Sequence, residues 1–232
     1  MKSQLFHLNR IALAILPALL IFTSFALAGP PLICHSFDIG DVRSIPWTSH
    51  DWNLTCSENY NTKNLARDTI AILDSDSVVL VHMETLRRAT LYARKDPAAA
   101  KELVTKLVAR ADSSASSQAV AMASFDLGYL AECYKQWMGK DEANPAQGLD
   151  GYALVKKAMQ LRGNDPQMYF AAALITLNGP AGEHQDYAQK TLAGAKTDAL
   201  LAHNLFTHFM GPQSDTMADM ISRSSAVKVA KQ

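Results

Sequence analysis

Apolar residues are distributed along this chain in four regimes. From Ile11 to Ala28 they run almost without interruption. From Gly29 to Asn61 they follow neither a strand period nor a helical one. Over residues 62–211 they recur at helical spacing, and in residues 212–232 small polar residues take over. The clearest stripe lies in 97–111, where Leu103, Val104, Leu107, Val108 and Ala111 share one face and Lys101, Thr105, Lys106 and Arg110 fall off it. Asp96-Pro97 and Asp165-Pro166 each set a capping carboxylate before a proline suited to a first helical turn. Gly139, Gly163 and Gly179 stand where helices should stop. Val78 to Val81 could open a strand, but Glu84, Leu86, Arg87, Arg88, Leu91 and Ala93 continue as helix formers and predict a helix. The expectation is an all-α fold: stacked antiparallel helical hairpins over 62–211, an irregular segment 29–61 packed on them through Trp47 and Trp52, and a polar tail 212–232 that forms at most a marginal helix.

The first apolar run reads as an export signal, residues 1–28. Lys2 and Arg10 provide the basic head, and Ala26 and Ala28 ahead of Gly29-Pro30-Pro31 fit cleavage after Ala28. An uncleaved anchor is the alternative, since the run is at the lower limit for crossing a bilayer; Pro17, Thr23 and the Ala-Leu-Ala site argue against it. The expected location is therefore a periplasm or the outside of the cell, with no stable membrane span after cleavage.

Export changes two other readings. The leader removes two basic residues and no acids from a chain with 22 of each, leaving a balance of about −2. Such a balance offers no footprint for nucleic acid. An oxidising compartment also permits disulfides. Cys34 and Cys56 share the irregular segment, so they are the expected pair, with Cys133 free; closing that loop would contribute about 3 kcal/mol. Three cysteines allow three pairings, and all three staying reduced is the competing reading. Asn53-Leu54-Thr55 is a glycosylation sequon, relevant only to a eukaryotic source.

One window carries a repeat-like signature. It begins in FDLGYLAECYKQW and resumes at GYALVKKAMQLRGNDP. Leu127-Gly128, then Gly151, Val155 and Ala158, then Leu161 and Pro166, resemble the small and large positions of a tetratricopeptide repeat. The departures are Ser124 and Ala131 at the usual aromatic places, a late closing proline, and a long loop from Gly139 to Leu149. Weaker echoes lie at 85–111 and 169–195, and a plain helical bundle would obey the same periodicities. Within the window Phe125, Tyr129, Glu132 and Gln136 form one face at 4-3-4 spacing. The resemblance implies that this face lines a concave groove for a partner peptide. The same spacing also suits aromatics that simply belong to the core.

Signatures of catalysis are sparse. The chain has no Gly-x-Ser-x-Gly elbow, no His-Glu-x-x-His motif, no phosphate loop and no dinucleotide fingerprint. His203 and His208 are five residues apart, about 140° around a helix, so one helix cannot aim both at one ion. Cys34-His35 has a reactive look, but adjacent residues rarely achieve the geometry of a thiolate–imidazole pair. Glu132 is the best lone acid for an envelope hydrolase. Arg87 and Arg88, with Arg94 and Lys95, form a basic cluster suited to a partner's carboxylate, although Glu84 four residues before Arg88 also fits an ion pair on a solvated face. The expected function is an exported, non-catalytic adaptor that binds a protein or peptide through Phe125, Tyr129, Glu132, Gln136, Arg87 and Arg88. No cofactor or metal is assigned. The alternatives are a hydrolase acting through Glu132 and a small-ligand-binding bundle.

Overall fold

The computed structural model describes residues 31–48, 54–113, 116–139, 142–177 and 181–210. The leader with its cleavage position at Ala28, Trp52, Asn53 of the sequon, Gly179 and the tail 212–232 lie outside them. The helices are α1 (Leu65–Ser75), α2 (Val79–Ala93), α3 (Pro97–Ser113), α4 (Ser117–Trp137), α5 (Gly151–Arg162), α6 (Pro166–Ile175), α7 (Ala181–Ala195) and α8 (Ala199–Leu205). A 3₁₀ turn, Thr62–Asn64, leads into α1, and a π turn, Phe206–Met210, follows α8. Among the described residues there is no strand, only an isolated antiparallel bridge between Trp47 and Cys56. The fold is all-α.

Local chemistry sets the helix ends. Asp165 accepts hydrogen bonds from the amides of Gln167 and Met168 and is followed by Pro166 in the first turn of α6. The Asp96 carboxylate receives Ala99 N–H in the same way ahead of Pro97. Ser116, Asp150 and Asp198 cap α4, α5 and α8. Gly163 ends α5 at φ +83°, a left-handed backbone that glycine adopts without strain. The Val78–Val81 stretch is the start of a helix, as the downstream helix formers predict.

Contacts at the helix ends give the directions. Thr62, before α1, bonds Asp96, before α3, while Arg110 near the end of α3 reaches Asp74 and the Leu73 carbonyl near the end of α1. These helices therefore run parallel. His82 and Arg94 of the α2 region meet Asp126 and Trp137 of α4 in the same order, so α2 and α4 are parallel too. Sequential neighbours are antiparallel: Gly151 opens α5 against Gly128 of α4, and Arg162 closes α5 against the Met122 sulfur. In α6 and α7 Pro166 meets Gly194 at one end and the Ala173 carbonyl meets His184 at the other. Close approach at the α4–α5 crossing requires glycine: a Cβ on Gly128 would lie 2.6 Å from the Gly151 carbonyl oxygen and 2.8 Å from Leu154 Cβ.

At the centre is α2. Fourteen of its fifteen residues are buried, so a helix with polar residues at His82, Glu84, Thr85, Arg87 and Thr90 is enclosed on all sides. Buried polar groups must find partners or destabilise the fold; beyond the pairs made within α2, such as Arg87 with Glu84 and Thr90 with the Leu86 carbonyl, the partners come from two places. One is the neighbouring helices. The other is the irregular segment 31–48, which crosses α2 and places Leu32, Ile33, Phe37 and Ile45 in the same core as Leu86, Tyr129 and Phe170. No described helix is long and apolar enough to cross a membrane.

Candidate functional site

Among the described residues, the polar side chains of several helices form a cradle that grips the main chain of residues 32–46. The Glu84 carboxylate is fully buried and organises it. Arg87 donates from Nε to Glu84 Oε2 at 2.7 Å and from Nη2 to Oε1 at 3.0 Å, a two-pronged pairing. Its remaining prong, Nη1, donates to the Ile33 carbonyl at 3.0 Å. Arg88 follows the same design with Nε on Glu84 Oε1 at 2.6 Å and Nη1 on the Ile45 carbonyl at 2.8 Å. Phe37 N–H adds a third donor to Glu84, at 2.9 Å. One carboxylate thus receives both guanidinium groups and a backbone amide, and its two arginines reach out to carbonyls twelve residues apart in the segment.

Other helices extend the grip. From α4, the Gln136 Oε1 atom accepts Leu32 N–H at 2.9 Å. From α8, the Asn204 carboxamide holds Asp38 at both main-chain groups, accepting its N–H and donating to its carbonyl, each at 2.9 Å. The Tyr92 hydroxyl donates to the Pro46 carbonyl at 2.7 Å and accepts from Ser57 N–H at 2.9 Å. Ser44 and Thr85 hydroxyls pair at 2.9 Å. Most of these contacts read backbone, not side chain. Sequence-specific grip comes instead from the apolar anchors Leu32, Ile33, Phe37 and Ile45, each worth about 1.5–3 kcal/mol when fully buried.

A second buried polar cluster joins α2 to α4. His82 Nδ1 lies 2.6 Å from Asp126 Oδ1 and its Nε2 lies 3.1 Å from the Asp76 carbonyl, with both side chains of the pair fully enclosed. Arg110 donates to the other Asp126 oxygen and to Asp74. Burial pushes the His82 pKa down, but the Asp126 carboxylate and the two hydrogen bonds pull it up by more, and the net shift is upward. With acceptors at both ring nitrogens, imidazolium is the form that fits.

The six residues expected to meet a partner have different fates. Arg87, Arg88 and Gln136 hold the irregular segment 31–48, which is part of the same chain. Arg87 is 1% exposed, so it is not on a solvated face, whereas Arg94 and Lys95 of the same basic cluster are exposed and Arg94 pairs with Glu142. Phe125 and Tyr129 are fully buried, their rings stacked at 5.6 Å, and they are core aromatics. The physical reason is that their face of α4 is covered, which leaves no open groove in front of them. Glu132 is 8% exposed, bonds Lys135 at 2.6 Å and packs where a Cβ on Gly151 would lie 2.6 Å from its Oε1. It wedges the α4–α5 crossing, with its charge beside the N-terminus of α5.

The disulfide expectation is corrected: Cys34, Cys56 and Cys133 are all free thiols, and Cys34 and Cys56 are not bonded. Cys56 sits in the bridge with Trp47 instead, while Cys34 is held beside Arg87. Burial raises the pKa of both thiols, and Arg87 offsets part of that for Cys34. Between segment 42–46 and α1 lies an open cavity of about 370 Å³, lined by Arg43, Ser44, Asp68, Ser75 and Asp76 among others. Its carboxylates are already engaged, Asp68 by Tyr60 and Arg67 and Asp76 by the Val78 amide. Among the described residues no group of three or more His, Cys, Asp or Glu is placed to hold a metal ion.

Glu84, Tyr92 and Asn204 are members of the cradle that sequence reasoning missed. Glu84 was visible as the acid before Arg88, but its burial was not, and Asn204 carried no signal at all. Compared with family models, curated proteins and solved structures, the chain finds no match.

Proposed function

We propose that this protein is an exported, non-catalytic binding module whose helices hold an irregular, looped protein segment by its main chain. In its resting state the segment is residues 31–48 of the same chain. The observation that supports this reading is the convergence of side chains from α2, α4 and α8 on backbone groups of one irregular, turn-containing stretch, a mode that reads main chain more than side chain. The leader and its cleavage pattern support export. The tetratricopeptide-like window, with its glycines packed at the α4–α5 crossing, supports a scaffold role by analogy alone. A partner must replace what residues 31–48 provide. It is therefore a looped segment with bulky apolar residues spaced like Leu32–Ile33, Phe37 and Ile45, and with free carbonyls opposite Arg87 and Arg88.

The test is affinity capture from an extract of the source, with and without a synthetic peptide covering residues 31–48. A partner retained by the chain, displaced by the peptide and weakened by Arg88→Ala supports the cradle as the binding surface. A partner that the peptide does not displace refutes it.

A further inference from the structure

The middle of segment 31–48 is fastened to the C-terminal end of the fold by a cluster of rings. His208 lies parallel to Phe37, with centroids 4.6 Å apart and planes 4° apart. Phe170 of α6 sets its ring at right angles to both, 5.5 Å from His208 and 6.0 Å from Phe37. His35 lies 5.0 Å from His208 on the segment side. His208 Nδ1 faces the Asn204 carbonyl at 2.8 Å, which assigns the ring proton to Nδ1 and leaves the lone pair on Nε2. That Nε2 atom is buried and has no hydrogen-bond partner among the described residues. A buried polar atom left without a partner asks for an explanation. Here a second ring proton would have no acceptor, and the stacked rings would have to separate to hydrate it.

We propose that this junction is an acid-sensitive latch: neutral His208, stacked on Phe37, holds residues 31–48 in the cradle, and protonation at Nε2 releases them. This is regulation of the cradle, and its functional meaning rests on the binding reading above. The charges around the ring favour the neutral form. The segment contributes His35 and Asp38, α2 contributes Arg87 together with its partner Glu84, whose carboxylate takes the Phe37 N–H, α8 contributes His203, and α6 contributes the uncharged Phe170. Arg87, His35 and His203 all oppose a new positive charge on His208. The carboxylate of Asp38 is turned to His203, 3.7 Å away on the exposed side, and this solvated pair offers little compensation.

The direction of the effect follows from linkage. Burial, with smaller contributions from neighbouring cations, brings the pKa of His208 down to about 3, and burial and Arg87 lower that of His35. A released histidine returns to about 6.5. The released state therefore binds more protons below that pH, and the latched state loses stability as pH falls through it. For His208 alone the opening equilibrium rises about tenfold between pH 7.5 and pH 5.5, and His35 adds a further factor.

Hydrogen exchange at the Phe37 and Asp38 amides reads this opening directly, because both are held by cradle side chains. Rates at pH 7.5 and 5.5, corrected for intrinsic chemistry, should show the wild-type opening constant rising about tenfold or more. His208→Phe keeps an aromatic ring on Phe37 and cannot titrate, so its pH dependence should fall to the His35 remainder, and His35→Gln in the same chain should remove that. Amides of α3 serve as the control for global unfolding. If His208→Phe unfolds, the ring proton resonances of wild-type His208 replace it: the docked ring must stay neutral to pH 5.5. Overturning results are a wild-type opening constant that is flat with pH, a His208→Phe chain that keeps the full dependence, or a docked ring that titrates near 6.5. The measurement needs no partner, so a flat profile sinks the latch without touching the binding reading. A pH-dependent opening with no capturable partner does the reverse.

Discussion

Replacing Glu84 by glutamine is the most informative single perturbation of this molecule. The side chain keeps its shape but loses its charge and one acceptor oxygen, since the carboxamide nitrogen would face N–H donors on whichever side it takes. Three donors converge on the carboxylate: Arg87 at 2.7 Å and 3.0 Å, Arg88 at 2.6 Å and Phe37 N–H at 2.9 Å. Removing one partner of a buried pair typically destabilises by about 3–5 kcal/mol, because the remaining charge is left uncompensated. Arg88 is 14% exposed and can turn part of its charge toward water, whereas Arg87 at 1% cannot. The expected loss is therefore near the lower end, about 3 kcal/mol, a large share of the 5–15 kcal/mol available to a typical domain. Urea unfolding followed by circular dichroism measures it as a lower midpoint at unchanged slope. The double variant Glu84→Gln/Arg87→Met should recover part of the loss, since an apolar residue of similar length removes the orphaned charge. Recovery stays incomplete because the Ile33 carbonyl loses its donor. A loss below about 1 kcal/mol for the single variant, the range of an exposed ion pair, would refute the enclosed cradle.

Further outcomes test separate parts of the structure. Asn204→Ala removes both main-chain contacts to Asp38 and should speed exchange of the Asp38 amide while costing about 1–3 kcal/mol in urea unfolding; an unchanged amide rate would mean that α8 does not hold the segment. Gly128→Ala drives a Cβ into the Gly151 carbonyl and should lower stability by about 1–3 kcal/mol, measured by thermal unfolding; a neutral result would show that α4 and α5 are not in such close contact. His82, bonded to Asp126, titrates in the sense opposite to the latch: its folded pKa is raised, so its stabilisation is complete below about 6.5 and is lost as pH rises through the folded value. Wild type minus His82→Gln in urea unfolding should shrink with rising alkalinity, and a difference that grows would contradict the pairing. Alkylation in denaturant without reductant should modify all three cysteines, and a product with only one modified would restore the Cys34–Cys56 bond.

The helical fold was legible because helices announce themselves locally. The apolar stripe Leu103, Val104, Leu107 faces the core as its spacing requires, and Asp96-Pro97, Asp165-Pro166 and Gly163 mark real boundaries. These signals depend on residues within one or two turns of each other. The roles of Phe125 and Tyr129 were not legible, because one face of a helix can be a groove or a core, and only what lies opposite decides. What lies opposite is α2 and a segment with no periodicity of its own.

By itself, the sequence determined the class of fold and the helix boundaries marked by Asp96-Pro97, Asp165-Pro166 and Gly163. Each of these is fixed by backbone preference or capping chemistry within a short stretch. Tertiary structure alone decided that Arg87, Arg88 and Glu84 are buried, that they grip residues 32–46, and that His208 meets Phe37 across 171 positions of chain. Burial and long-range pairing depend on how the described helices enclose one another. A charged residue carries no local mark of whether it will face water or the main chain of a distant segment.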